Sequence, residues 1–187
     1  MINFAGNAGH DIRLDPGACD PIQPWENDYT DTKEAEWCRE VMLTACQKVQ
    51  SKGHNAQFIQ DDSLSNICAL SDAFGADVFV SLHLNAATNT DAQGPETYYL
   101  DGSEEGARLA NCVHGQIVQK LGAHGRDRGT RTANFYVLRN TAAPAILIEA
   151  GFITNVWEEA TLHEPWVKRA VSDAIVDGVL KFMGKEA

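Results

Sequence analysis

Ala145-Ile146-Leu147-Ile148-Glu149-Ala150-Gly151-Phe152-Ile153-Thr154-Asn155 decides the fold. Its leading apolar run, Ala145 to Ile148, reads as a strand buried on both faces, and such strands belong to parallel sheets covered by helices. The run ends on a carboxylate, Glu149. Earlier, Ala76-Asp77-Val78-Phe79-Val80-Ser81-Leu82-His83-Leu84-Asn85-Ala86-Ala87 presents a histidine in the same way. In open α/β sheets ligands bind outside the carboxyl ends of the strands, so Glu149 and His83 are expected to face one crevice.

Further strand-like stretches lie at Ile2 to Ala5, Ala56 to Ile59, Val78 to Leu84, Thr97 to Leu100 and Phe135 to Leu138. They alternate with helical patterns. A first helix is expected from near Asp31 to Gly53, with Trp37, Val41, Ala45 and Val49 on one face, and a second from Ser63 to Phe74, ended by Gly75. A third runs from Glu104 to Leu121 through Ala110, Val113 and Ile117, and a fourth from Val167 to Phe182 through Val171, Ala174, Ile175 and Val179. The alternation predicts a single α/β domain whose mixed, mostly parallel twisted sheet of about six strands is flanked by helices. No internal repeat or low-complexity tract interrupts it, so residues 1–187 read as one catalytic-sized domain without an appended targeting module. The longest loop, Asp11 to Thr30, has the length at which loops are commonly functional.

The chain has 187 residues, 44% hydrophobic and 22% charged, an ordinary globular composition. A formal net charge of -11 argues against a nucleic-acid partner, because that affinity rests on neutralising phosphates. No apolar stretch is long enough to insert in a membrane, and the start, Met1-Ile2-Asn3-Phe4-Ala5-Gly6, shows no signal peptide. Cys19, Cys38, Cys46, Cys68 and Cys112 form no C-x-x-C pair, and three of them sit on apolar helix faces, where they read as small buried hydrophobes of a reducing compartment.

A histidine also follows the first strand, in Gly6-Asn7-Ala8-Gly9-His10, so His10 joins His83 and Glu149 at strand ends. His54, His114, His124 and His163 fall at helix ends, on a helix or in loops and read as structural or solvated. Two histidines need a third ligand to hold a catalytic zinc, whose fourth position stays open. Glu34 is the best candidate, since it is in phase with Trp37, Cys38 and Val41 on the inward face, whereas Glu36 and Glu40 project elsewhere. Its rival role is a capping box with Asp31.

In this order the motifs closely resemble the zinc-dependent N-acetylmuramoyl-L-alanine amidases of the amidase type 3 family. The resemblance rests on Gly9-His10 with Asp15-Pro16-Gly17-Ala18, Glu34 opening a helix, Gly75-Ala76-Asp77 through Ser81-Leu82-His83-Leu84-Asn85, Tyr136-Val137-Leu138-Arg139, and Pro144 through Asn155. It implies one Zn²⁺ per chain on His10, Glu34 and His83, with Glu149 as the catalytic carboxylate. Zinc polarises an amide carbonyl and acidifies water, and a nearby glutamate moves the proton to the leaving amine. The implied reaction is hydrolysis of the bond between N-acetylmuramic acid and L-alanine of the stem peptide, in cell-wall lysis or remodelling, by a phage lysin or a bacterial enzyme reaching the wall by release or export. Activity is expected to fall at acidic pH as protons compete with metal.

The chain departs from the family pattern where Asp11-Ile12-Arg13-Leu14 follow His10, which is expected to reshape the rim of the cleft, and at Ile67 and Asp72, where the family commonly has arginine and asparagine. Stem peptides carry carboxylates, so Arg128 and Arg131, from a group that includes Arg126 and Arg139, are expected to contact the substrate, with Asn85 as a weaker candidate. The expected partner is peptidoglycan or a muropeptide, and the expected state a monomer. The rival reading is a non-catalytic muropeptide-binding domain of the same fold. A phosphate-binding reading of Gly6-Asn7-Ala8-Gly9 is weak, because no helix N-terminus follows closely.

Overall fold

The computed structural model describes residues 1–19, 32–122 and 127–185. Asp31, His124, Arg126 and residues 20–30 of the long loop lie outside the described residues. Six strands, β1 (Asn3–Ala8), β2 (Asn55–Ile59), β3 (Val78–Asn85), β4 (Glu96–Tyr99), β5 (Thr130–Thr132) and β6 (Ala145–Phe152), form one sheet in the order β2-β1-β3-β6-β4-β5. Neighbours are parallel except at β4–β6, where the direction reverses.

Helices α1 (Glu34–Ser51), α2 (Leu64–Phe74), α3 (Glu104–Leu121), α4 (Tyr136–Asn140), α5 (Val156–Leu162) and α6 (Pro165–Phe182) cover the sheet. Strand alternation assigns their sides. Val78, Val80, Leu82, Ile146 and Ile148 pack with α1, α3 and α6 in the larger core. Phe79, Ala145 and Leu147 point the other way, onto Ile67 and Cys68 of α2 and Val137 and Leu138 of α4. Residues one step out of phase therefore meet different layers, as period-2 geometry requires. Cys38, Cys46 and Cys68 are buried in these layers.

The helix ends follow local chemistry. Ser63 caps α2 and Ser103 caps α3, each accepting a backbone N–H three residues on. Pro165 opens α6, where its missing N–H costs nothing. α1 starts at Glu34 without a side-chain cap.

One expectation fails. Phe135 to Leu138 is not a strand but belongs to the short helix α4 and its cap, and the sixth strand is Thr130–Thr132. A short apolar run fits a buried helical turn as well as a strand. Here Val137 and Leu138 enter the smaller core while Phe135 and Tyr136 remain exposed, an arrangement a strand cannot give adjacent pairs. β5 has no apolar residue and, among the described residues, pairs only with β4, so nothing in its composition announces it.

Candidate active site and metal centre

Adjacent parallel strands β1, β3 and β6 open their carboxyl ends on one edge of the sheet. In register, His83 of β3 lies beside Glu149 of β6, and Glu149 lies opposite Glu96 of β4. Cross-strand partners leave the same side of a sheet, so the three form a row.

His10 follows β1 in a left-handed turn, and among the described residues it is the one non-glycine with positive φ, 61°. That conformation costs on the order of 1–2 kcal/mol and marks a site held by its surroundings. Two glycines let the backbone approach. A Cβ on Gly9 would lie 2.3 Å from the His83 ring, and one on Gly17 (φ +73°) 2.6 Å from the Glu34 carboxylate. The residues after His10 fold into a closed turn in which Asp11 and Asp15 exchange backbone hydrogen bonds. Ile12 and Leu14 are exposed on it.

That turn aims Asp15 Oδ2 at His10 Nδ1, 2.8 Å away. A carboxylate only accepts, so Nδ1 carries the proton and Nε2 turns its lone pair to Glu34 Oε2 at 3.4 Å. Glu34 is buried and reaches in from the first turn of α1. Its Oε2 accepts from Ala18 N–H (2.8 Å), and its Oε1 accepts from Leu84 N–H (3.2 Å) and lies 2.8 Å from His83 Nδ1. The two imidazole rings stand edge to face, 5.3 Å apart.

One ligand atom from each of His10, Glu34 and His83 lies within 4.8 Å of the others. A lone pair turned toward a carboxylate is repelled unless a cation lies between them. A proton is one such cation, and the hydrogen bond to Glu34 lifts His10 to about 9. Burial alone would raise Glu34, but hydrogen bonds from His10 and His83 prevail and hold it at about 2. A metal ion is the other, and two imidazole nitrogens with one carboxylate form the donor set of a catalytic zinc. The residues fit such an ion. Cys38, one turn along α1, has its thiol pushed well up by burial and by Glu34 and Glu149, which makes it a poor competing ligand.

Glu149 faces the same space. Its Oε2 is buried without a hydrogen-bond partner among the described residues. Burial, then the charges of Glu34 and Glu96, raise its pKa well above the ordinary value. A cleft of about 440 Å³ contains His10, His83 and Glu149 on one side and Ile67, Phe135 and Tyr136 on its apolar wall. Ile67 thus stands at the wall itself.

The remaining candidates converge on Glu96, which the sequence reading did not single out. Its Oε1 accepts from Asn85 Nδ2 (2.7 Å) and its Oε2 from Arg128 Nε (3.1 Å), with Arg131 Nε 3.5 Å away. Arg128 also stacks over Phe152, while Arg131 is half exposed. The pattern Gly94-Pro95-Glu96 opening a strand was the available signal, but only the pairing of β4 with β6 brings that carboxylate beside Glu149. Arg139 lies apart, bonded to Asn134. His114 is buried between Thr97 and Asp127, a structural brace.

Known proteins resemble this chain in sequence and fold. A family model described as N-acetylmuramoyl-L-alanine amidase (Amidase_3) covers residues 7–181. The N-acetylmuramoyl-L-alanine amidase LytC of Bacillus subtilis (strain 168) is 37% identical over 110 residues, 57% of this chain and 22% of that protein. Among solved structures, the amidase AmiC2 of Nostoc punctiforme superposes with a TM-score of 0.86 at 27% identity, covering 98% of both chains. The amidase of Clostridium difficile 630 gives 0.83 at 31% identity, over 100% of this chain and 98% of the other. The chain spans 22%, 66% and 58% of the length of the first three curated relatives it matches. Motif order, sheet topology and the whole-length superposition agree with the family match, and the chain belongs to the N-acetylmuramoyl-L-alanine amidase family, amidase type 3.

Proposed function

We propose that the protein is a zinc-dependent hydrolase that cleaves the amide bond between the N-acetylmuramic acid lactyl group and L-alanine of the peptidoglycan stem. The observation that carries this reading is a cluster of three zinc-type ligand atoms, two of whose residues line one cleft together with a partly buried glutamate whose Oε2 is unpartnered among the described residues. His10, Glu34 and His83 hold one Zn²⁺. Bound there, zinc supplies Lewis-acid polarisation of the scissile carbonyl and makes water acidic enough to be a nucleophile near neutral pH.

Glu149 moves the proton. An ionised Oε2, without a partner among the described residues, accepts the proton of the attacking water, and the raised proton affinity lets the carboxyl hold that proton. The same carboxyl then donates it to the departing L-alanine nitrogen, so the amine leaves neutral. Asp15 keeps His10 in the tautomer that serves the metal.

The stem peptide meets Arg131, whose guanidinium is half exposed beside Glu96. Arg128 and Asn85 stand behind it and hold Glu96 in place. Among the described residues no helix is long and apolar enough to cross a membrane, and the reaction takes place on the cell wall. The chain acts there as a monomer, a state that light scattering on the eluted protein measures.

The test is release of L-alanine amino groups from peptidoglycan by purified protein, with and without chelator, alongside metal content. Glu149→Ala retains zinc and loses hydrolysis by roughly 10²–10⁴-fold, while His83→Ala loses both. Hydrolysis unaffected by chelation would overturn the zinc mechanism. Zinc binding and muropeptide binding without any hydrolysis in the unaltered protein would establish the binding-domain alternative.

A further inference from the structure

Beneath His83 the sheet carries a hydrogen-bonded chain that proton transfer itself does not use. Asn7 on β1 lies beside Ser81 on β3, and Ser81 precedes His83 by two residues, so all three side chains leave one face. Asn7 and Ser81 are 1% and 0% exposed. The Asn7 amide donates through Nδ2 to the carbonyls of Ala8 (3.1 Å) and Ile59 (3.3 Å). Turning the amide over would set its oxygen against two oxygens, so Oδ1 must face Ser81.

From there the direction of each bond is forced. Oδ1 accepts the Ser81 hydroxyl at 2.6 Å. A hydroxyl has one proton, so Ser81 Oγ can then only accept, and the group in reach is His83 Nε2 at 3.1 Å. Nε2 therefore carries hydrogen. That leaves Nδ1, 2.8 Å from Glu34 Oε1, as the nitrogen that takes the cation between them, a second proton without metal or the metal ion itself.

We propose that Asn7, acting through Ser81, is a positioning residue that fixes His83 in its Nε2–H tautomer and so presents Nδ1 to the metal. The relay begins at Ile59, the last residue of β2, and crosses β1 and β3, so the pairing of three strands is converted into the protonation of one ligand. It also excludes a different role. Ser81 beside His83 resembles a nucleophile with its base, but an activated hydroxyl must give its proton to imidazole, and here it gives it to Asn7.

The inference rests on the zinc reading of the centre, and the probe is zinc alone, titrated in competition with a chelator. Loss of an outer partner of a ligating histidine typically weakens metal binding 10–100-fold, so Ser81→Ala and Asn7→Ala should weaken it by about that factor, while Ser81→Thr, which keeps the hydroxyl, should stay within about threefold. In the zinc-loaded protein, ¹⁵N spectra should place the His83 proton on Nε2, with slower solvent exchange than in Asn7→Ala. Metal-free unfolding midpoints of Ser81→Ala and Ser81→Thr identify any global damage, which cannot produce rescue by threonine alone. Parental zinc affinity in both alanine variants, or a proton found on Nδ1, would overturn the relay and leave the zinc centre standing. No zinc binding by the parent would overturn both.

Discussion

Glu34 and Glu96 are both buried carboxylates, 3% and 2% exposed, one on either side of Glu149 in its electrostatic surroundings. Their company differs. Glu96 is met by N–H donors, from Asn85 and from two arginines whose charge is permanent. Glu34 accepts two backbone amides, but its other neighbours are imidazoles whose far nitrogens are already committed to Asp15 and Ser81. The first cluster is electrically complete. The second needs a cation, and that requirement, rather than burial of an acid, distinguishes a reactive centre from a structural ion pair.

Neutralising each carboxylate should separate the two. Glu34→Gln removes an anionic ligand and should abolish zinc retention through gel filtration, with hydrolysis lost alongside. Glu96→Gln should keep the metal, yet lower unfolding free energy by about 1–3 kcal/mol, because the arginines lose a charged acceptor. Chemical denaturation with metal analysis reads both outcomes. Zinc lost from Glu96→Gln and kept by Glu34→Gln would reverse the assignment.

A smaller effect follows from His10. Zinc must displace the proton that Glu34 holds on this ring up to about pH 9, so apparent zinc affinity should climb by up to about tenfold per pH unit from 7 and flatten above 9. The metal-free protein senses the same pair. His10 rises from 6.5 to about 9, so its stabilisation is full below 6.5 and lost as pH rises through 9. Glu34 falls from 4.5 to about 2, so its stabilisation is present above 4.5 and lost as pH falls through 2. For this pair the optimum lies between 4.5 and 6.5. Zinc affinity that is flat from pH 7 to 9 would mean His10 is already bare without metal.

Much of this was legible in sequence because burial and strand ends leave patterns. His83 and Glu149 terminate apolar runs, and the periodic run from Glu104 to Leu121 matches α3 at both ends. What stayed hidden depends on register. The pairing of Arg128 and Arg131 with Glu96 is one such feature, because nothing in their neighbourhood shows that β4 lays Glu96 against β6. Ser81 shares a face with His83 by simple alternation, but its use needs Asn7, 74 residues away, and only the pairing of β1 with β3 supplies that. Thr130–Thr132 and α5 were missed because a three-residue polar strand and a seven-residue helix carry little periodicity.

The smallest effect concerns the residue between the two clusters. Glu149 lies opposite Glu96 and, among the described residues, receives no compensating donor at Oε2. Burial first, then Glu34 and Glu96, raise its pKa well above 4.5. A carboxyl that binds its proton more tightly when folded loses stability as pH rises from the unfolded value toward the folded one. At neutral pH the metal-free native state thus carries a penalty that the unfolded chain escapes. Glutamine has the shape of the protonated acid and no charge to bury. Metal-free Glu149→Gln should therefore be more stable than the parent at pH 7 by about 1 kcal/mol, as is common when a functional site gives up a strained group. The advantage should vanish near pH 4, where both states of the parent bind the proton. Equal denaturation midpoints at the two pH values would mean that Glu149 is as well satisfied as Glu96, and the contrast between a complete cluster and an unfinished one would fail at the residue assigned to the chemistry.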